Sequence, residues 1–274
     1  MEINYLETED HFRLRTAIFH PENPATAVVQ MIHGFSEGIE HYQKMATFFT
    51  SNDIIFVIHD QRGFGIEAKN KGINDGYDKM LSDITEVRQM IAKRFPMLPV
   101  ILYGFSMGGN LALNYLLENG EKSYQKIILE SPWLRLYQEP SNLTKNLAKF
   151  LGNFNHHFSV KTHINPNLVL HDENIIKSVK NDGMITEKIG LKLFSEMVQN
   201  GQKALNHAAK ISLPVLLFAA EKDKIVSPQA IQEFAEKSNK NVTFVTIKNA
   251  YHCLHYDDCE TEILQRIKEF IKNE

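Results

Sequence analysis

An apolar run, Val100-Ile101-Leu102, leads through Tyr103 into Gly104-Phe105-Ser106-Met107-Gly108-Gly109, and a helical pattern, Asn110-Leu111-Ala112-Leu113-Asn114-Tyr115-Leu116-Leu117, follows at once. No other stretch constrains the chain as tightly. Glycines two before and two after Ser106 let a strand and a helix pack close around a sharp turn, and such a turn lifts the serine hydroxyl clear of both elements. The helix N-terminus beside it favours negative charge. A serine placed in this way is a candidate nucleophile, but it needs a base to take its proton and a third group to orient that base.

The surroundings of this turn repeat one rhythm. Short strands are expected over 3–8 and 12–19, around the polar turn Glu9-Asp10-His11, followed by compact apolar runs at 27–32, 54–58, 213–218 and 242–247 and by a strand with a proline stop in Lys126-Ile127-Ile128-Leu129-Glu130-Ser131-Pro132. Helices are expected at roughly 40–51, 77–94, 228–237 and 259–272; in the second of these, Met80, Leu81, Ile84, Val87 and Ile91 recur at helical spacing. Strands alternating with helices predict an α/β fold with a mostly parallel sheet covered on both faces. The rhythm breaks between 133 and 212, where no strong buried strand is visible. Leu143, Leu147, Phe150, Leu151, Phe154 and Phe158 form one apolar stripe there. Ile189, Leu193, Met197 and Val198 form another, with Asn200-Gly201 as the expected helix stop. The division predicted is a discontinuous core, 1–132 and 213–274, with 133–212 as a helical cap.

Composition narrows the function classes. The 274 residues, 43% hydrophobic and 23% charged, are those of an ordinary globular protein. A formal net charge of -3 without a dense basic run gives no general attraction to nucleic acid. Two cysteines, Cys253 and Cys259, are too few for a disulfide framework and lack zinc-site spacing, so a reducing compartment and no metal are expected. The N-terminal residues have neither a basic nor an apolar leader region, and no uncharged stretch reaches membrane-spanning length; a cytoplasmic location is the expectation.

Partners for Ser106 are sought where strands end, because the carboxyl ends of parallel strands form the ligand crevice. Past the 213–218 strand lie Glu221 and Asp223; Asp223 is preferred, since Lys224-Ile225-Val226-Ser227-Pro228 reads as a turn re-entering a helix, with Glu221 as the alternative. Past the last strand lies His252, with His255 as its competitor. The resulting order, Ser106, Asp223, His252, is a serine–acid–histidine order known for hydrolases built on such a sheet. An oxyanion needs two preorganised N–H donors: Met107, which follows the serine, and Phe35, in the loop His33-Gly34-Phe35. His33 and Asp60-x-Arg62-Gly63 are expected to brace these loops rather than react.

With these pieces assembled, the chain resembles the monoacylglycerol lipase and lysophospholipase group of the α/β-hydrolases over essentially its whole length. The matching segments are His33-Gly34-x-x-Glu37 with Tyr42, Asp60-x-Arg62-Gly63-x-Gly65, Gly104-x-Ser106-Met107-Gly108-Gly109, Asp223-Lys224-Ile225-Val226 and Ala250-Tyr251-His252-x-Leu254-His255. The resemblance implies an α/β-hydrolase fold with a helical cap after the sixth strand, and cleavage of single-chain acyl esters without a cofactor. Departures fall around the mouth. Ser36, Gly38 and His41 replace a glycine, a histidine and an arginine usual in the first motif, Phe105 and Phe64 stand where histidines are common, and Asp182-Gly183 replaces an Asp-Pro. The reading is a serine ester hydrolase acting on monoacylglycerols, lysophospholipids or similar esters. Leu147, Phe150, Leu151 and Phe154 are its candidate acyl-binding residues, and transient membrane contact through the cap is a possible further role for the stripe. A short-chain carboxylesterase, a related serine aminopeptidase, or a silent binding module are the alternatives; the oligomeric state is not legible.

Overall fold

The computed structural model describes residues 1–162, 164–181 and 183–272. Its centre is an eight-stranded sheet in the order β1-β2-β4-β3-β5-β6-β9-β10. The strands are β1 Glu2–Glu7, β2 Arg13–Phe19, β3 Ala27–Ile32, β4 Ile54–His59, β5 Val100–Phe105, β6 Lys126–Glu130, β9 Val215–Ala220 and β10 Val242–Ile247. β1 pairs with β2, and β2 with β4, antiparallel; every pairing from β4 across to β10 is parallel. The central strands β3, β4, β5 and β9 are buried at every position. This is why they read as unbroken apolar runs, whereas β1 and β10, at the two edges, are partly exposed.

Side-chain alternation divides the core into two layers. Val28, Ile32, Val100 and Leu102 face one side with α2 Tyr77–Arg94, α3 Met107–Asn119 and α7 Pro228–Lys237. Val29, Met31, Ile101, Tyr103 and Phe105 face the other, against α1 Gln43–Thr50 and α8 Glu260–Lys272. The parallel order places the carboxyl ends of β3, β5, β6, β9 and β10 along one rim, where the loops carrying the candidate residues emerge.

Between β6 and β9 the chain holds α4 Asn142–Phe154, a two-stranded antiparallel ribbon of β7 Ser159–Lys161 and β8 Lys188–Gly190, α5 Glu173–Asn181 between those strands, and α6 Leu191–Asn206. The ribbon has no sequence signature, because its three-residue strands carry no long apolar alternation. Within this stretch α6 is a core helix: Leu193, Met197, Ala204 and Leu205 are buried in the α2–α3 layer. The side chains of Asn110 and Asn114 on α3 donate to the Met197 and Asn200 carbonyls of α6, both at 3.0 Å. The stop expected at Asn200-Gly201 is corrected here. α6 runs on to Asn206, and Gly201 serves a close approach instead, since a Cβ there would stand 2.3 Å from the Leu134 carbonyl oxygen. Asp182, half of the Asp182-Gly183 departure, lies outside the described residues. Among the described residues no helix is long and apolar enough to cross a membrane.

Candidate active site

Ser106 occupies the turn between β5 and α3 with φ 51° and ψ -113°, a strained conformation for a residue with a side chain. Close packing holds it there. A Cβ on Gly104 would lie 2.6 Å from the Gly108 carbonyl oxygen, and one on Gly108 only 2.0 Å from that of Ile32, so neither site admits a larger residue. Backbone bonds tie the turn to the next strand: the Ser106 N–H donates to the Glu130 carbonyl, and its own carbonyl accepts from Trp133, both at 2.9 Å.

Three loops of the rim meet at the serine. His252, after β10, has Nε2 2.9 Å from Ser106 Oγ and Nδ1 2.6 Å from Asp223 Oδ2. The other oxygen of Asp223, after β9, accepts the Ile225 and Val226 amides at 2.7 and 3.0 Å, which fixes the carboxylate's orientation. All three side chains are buried. The competing residues are engaged elsewhere. Glu221 accepts the Asn249 amide at 2.8 Å, and His255 Nδ1 lies 2.8 Å from Glu130 Oε1.

The Met107 amide opens α3, where the first N–H groups of a helix have no intrahelical acceptor. Phe35 lies across the site in the loop after β3, and its side chain lines the cavity at Ser106. That loop is held by buried polar contacts. His33 Nδ1 donates to the Gly34 carbonyl at 2.8 Å and its Nε2 accepts the Gln61 amide at 3.0 Å, an arrangement of the neutral ring; burial pushes the His33 imidazole down to about 4. Glu37 Oε2 accepts the Gly34 amide at 2.6 Å and the Tyr42 hydroxyl at 2.7 Å. Asp60 joins the Ile39 amide to Arg15, and Arg62 makes a paired contact to Asp83 at 2.7 and 2.8 Å while its Nη1 reaches Asp10 at 2.7 Å. These two residues brace the rim and do not point into it.

Beneath the site lies a polar cluster that sequence reasoning missed. Glu130, at the end of β6, accepts from His255 Nδ1, from the Leu254 amide at 2.9 Å and from the Tyr103 hydroxyl at 2.6 Å. Phe105 separates the two imidazoles, its ring centroid 5.1 Å from that of His252 and 4.9 Å from that of His255. A charged residue closing an otherwise apolar strand, Lys126-Ile127-Ile128-Leu129-Glu130, was the signal available.

A cavity of about 750 Å³ opens from Ser106 and His252, walled by Phe35, Phe105, Ile164, Val169, Leu170 and Ile176 among others. The acyl-binding expectation for Leu147, Phe150, Leu151 and Phe154 is corrected: none of the four lines it. α4 turns its small residues Ala148 and Gly152 inward, and a Cβ on Gly152 would stand 2.5 Å from the Lys192 amide of α6. So close an approach leaves the large side chains outside, with Leu147 54%, Phe150 68% and Phe154 78% exposed and Leu151 half-buried. The cavity wall comes instead from the short 3₁₀ turn Pro166–Leu168 with its flanking residues Ile164, Val169 and Leu170, and from α5.

Known proteins share this architecture. The crystal structure of a monoacylglycerol lipase from Paleococcus ferrophilus superposes with a TM-score of 0.86 at 22% identity, covering 95% of this chain and 98% of that one. An abhydrolase domain-containing protein of Dictyostelium discoideum is 29% identical over 273 residues, 98% of this chain. The monoglyceride lipase of Mus musculus is 21% identical over 277 residues, covering 99% of this chain and 91% of that protein. The chain spans 29% of the length of the Dictyostelium protein and 64% of a Schizosaccharomyces pombe relative. The family model described as serine aminopeptidase, S33, matches residues 23–259, most of the chain, and the chain belongs to that family.

Proposed function

We propose that the protein is a serine ester hydrolase that cleaves single-chain acyl esters, monoacylglycerols and lysophospholipids first among them, through an acyl-enzyme. The observation that carries this reading is the unbroken hydrogen-bonded chain Asp223–His252–Ser106 at the mouth of an apolar cavity. Ser106 Oγ attacks the ester carbonyl while His252 Nε2 takes its proton. Asp223 keeps Nδ1 protonated and stabilises the imidazolium that forms. The developing oxyanion is received by the amides of Met107 and Phe35, each such donor being worth about 2.7–4 kcal/mol in the transition state. The histidine then protonates the leaving alcohol, and water activated by the same imidazole frees Ser106.

The cavity supports the substrate class. Its mainly apolar wall suits one acyl chain, and the names of the mammalian and archaeal relatives point the same way. In this reading the expected cap of 133–212 narrows to the stretch from α4 through β8, because α6 belongs to the core, and the exposed residues of α4 rest transiently on the lipid surface from which substrate is drawn. The free thiols of Cys253 and Cys259 support a cytoplasmic location. A panel of p-nitrophenyl acetate, longer acyl esters, monoolein, lysophosphatidylcholine and a proline-naphthylamide tests the assignment, with Ser106→Ala as control. Monoolein or lysophosphatidylcholine is expected to turn over fastest, and Ser106→Ala to lower the rate by roughly 10⁴-fold or more. Fastest cleavage of the naphthylamide would make the protein a peptidase, the activity named in the family description. Turnover undiminished in Ser106→Ala would end the mechanism.

A further inference from the structure

At the cavity wall formed by Glu37 and Cys253, three side chains of different chemistry converge. Glu37, Cys253 and His255 each offer one ligand atom, and those atoms lie within 4.8 Å of one another. Cys253 and His255 are buried, while Glu37 and Cys253 also line the cavity, which gives an ion a route in. Cys253 Sγ lies 3.6 Å from His255 Nε2. A tetrahedral zinc with ordinary bond lengths of about 2.3 Å to sulfur and about 2.05 Å to nitrogen sets those two ligand atoms about 3.6 Å apart. His255 is also oriented as metal-binding histidines are: its far nitrogen, Nδ1, is held by a carboxylate, Glu130 Oε1 at 2.8 Å. That carboxylate is fixed in turn by the Leu254 amide and the Tyr103 hydroxyl.

We propose that Glu37, Cys253 and His255 form an inhibitory site for a borderline-soft divalent cation of the zinc class, with its fourth position open to the cavity. Thiolate, imidazole and carboxylate together suit Zn²⁺ and Cd²⁺ and not Mg²⁺ or Ca²⁺, which prefer all-oxygen shells. On binding, the Cys253 thiol releases its proton to solvent and sulfur takes the metal bond; no redox change occurs. Cys253 follows His252 in the chain, and the Phe105 ring that packs on His255 packs on His252 as well, so a dication here opposes the imidazolium that the proposed reaction passes through and inhibition appears in kcat.

The test titrates tag-free protein, without substrate, with CdCl₂ while recording the ultraviolet charge-transfer absorption of cadmium–thiolate bonds, so its outcome does not depend on the ester-hydrolase reading. One Cd²⁺ per chain with a thiolate band is expected, abolished in Cys253→Ala and kept in Cys259→Ser. The band is also kept in His171→Ala, which removes a separate, more exposed grouping of His171, Asp257 and Asp258. ZnCl₂ is expected to displace the cadmium and, with p-nitrophenyl butyrate as reporter, to inhibit the parent at a concentration at least tenfold below that needed for Cys253→Ala. Each protein is scored against its own rate in chelator. MgCl₂ at the same concentration is expected to do neither. No thiolate band, a band that survives Cys253→Ala, or equal zinc sensitivity of parent and Cys253→Ala would each overturn the proposal.

Discussion

Phe105 fills a variable place in the Gly-x-Ser-x-Gly pattern, yet its ring packs against two imidazoles at the candidate site. It lies between the His252 and His255 imidazoles, and a Cβ on Gly34 would stand 2.8 Å from it. One buried ring therefore sets the spacing of the histidine loop and of the loop carrying Phe35. Phe105→Ala is expected to cost about 3–5 kcal/mol in urea unfolding, the usual range for emptying a buried aromatic site. It is also expected to lower kcat more than KM; unchanged stability would show that the ring is replaceable. At this scale legibility followed chain position. Ser106, Asp223 and His252 were legible because each follows the carboxyl end of a strand. What Glu130 and His255 do was not legible, because their pairing joins residues 125 apart in the chain. A loop histidine and a strand-end glutamate have no local pattern that announces a contact.

Elements were legible where their apolar faces are large, and misread where the packing face is small. α2, α7 and β10 match their expected bounds because periodic large side chains mark what they bury. α4 inverts that logic: its packing face is Ala148 and Gly152, so its apolar stripe is the exposed side. Gly201 misled for the same reason, since a glycine used for helix-to-backbone contact looks like a glycine used to end a helix. The exposed stripe carries a prediction for α4. Replacing Leu143, Phe150 and Phe154 together by serine is expected to weaken binding to phosphatidylcholine vesicles at least tenfold, because each large apolar side chain moved from water into lipid is worth about 1.5–3 kcal/mol. Co-sedimentation with vesicles measures this, and equal binding of parent and variant would remove α4 from the lipid contact.

Across the whole molecule, two buried histidines, His33 and His59, tie fold stability to pH. Burial pushes His33 down to about 4 and His59 down to about 3, and among the described residues His59 Nδ1 has no hydrogen-bond partner. Both folded values lie below the unfolded value near 6.5, so the unfolded chain takes up these protons first. Their contribution to stability is complete above about pH 6.5 and is lost as pH falls toward the folded values, each at up to about 1.4 kcal/mol per pH unit. Asp83, raised by burial to about 6, and His255, also raised, act in the opposite direction, so the test is the difference between parent and variant. In urea unfolding at pH 6.5 and 5, His59→Leu is expected to lose less stability than the parent on acidification, and equal changes would mean that His59 does not titrate on unfolding. The same fold, a parallel sheet whose loops converge on one rim, is what brings Asp223, His252 and Ser106 into hydrogen-bonding contact. In the proposed function that contact makes Ser106 a nucleophile. Reaction of the folded protein with a fluorophosphonate, with the adduct located by peptide mass spectrometry, tests this most directly. One adduct per chain on Ser106, absent in Ser106→Ala and much slower in His252→Ala, is the result predicted; no adduct, or an adduct on any other residue, would contradict it.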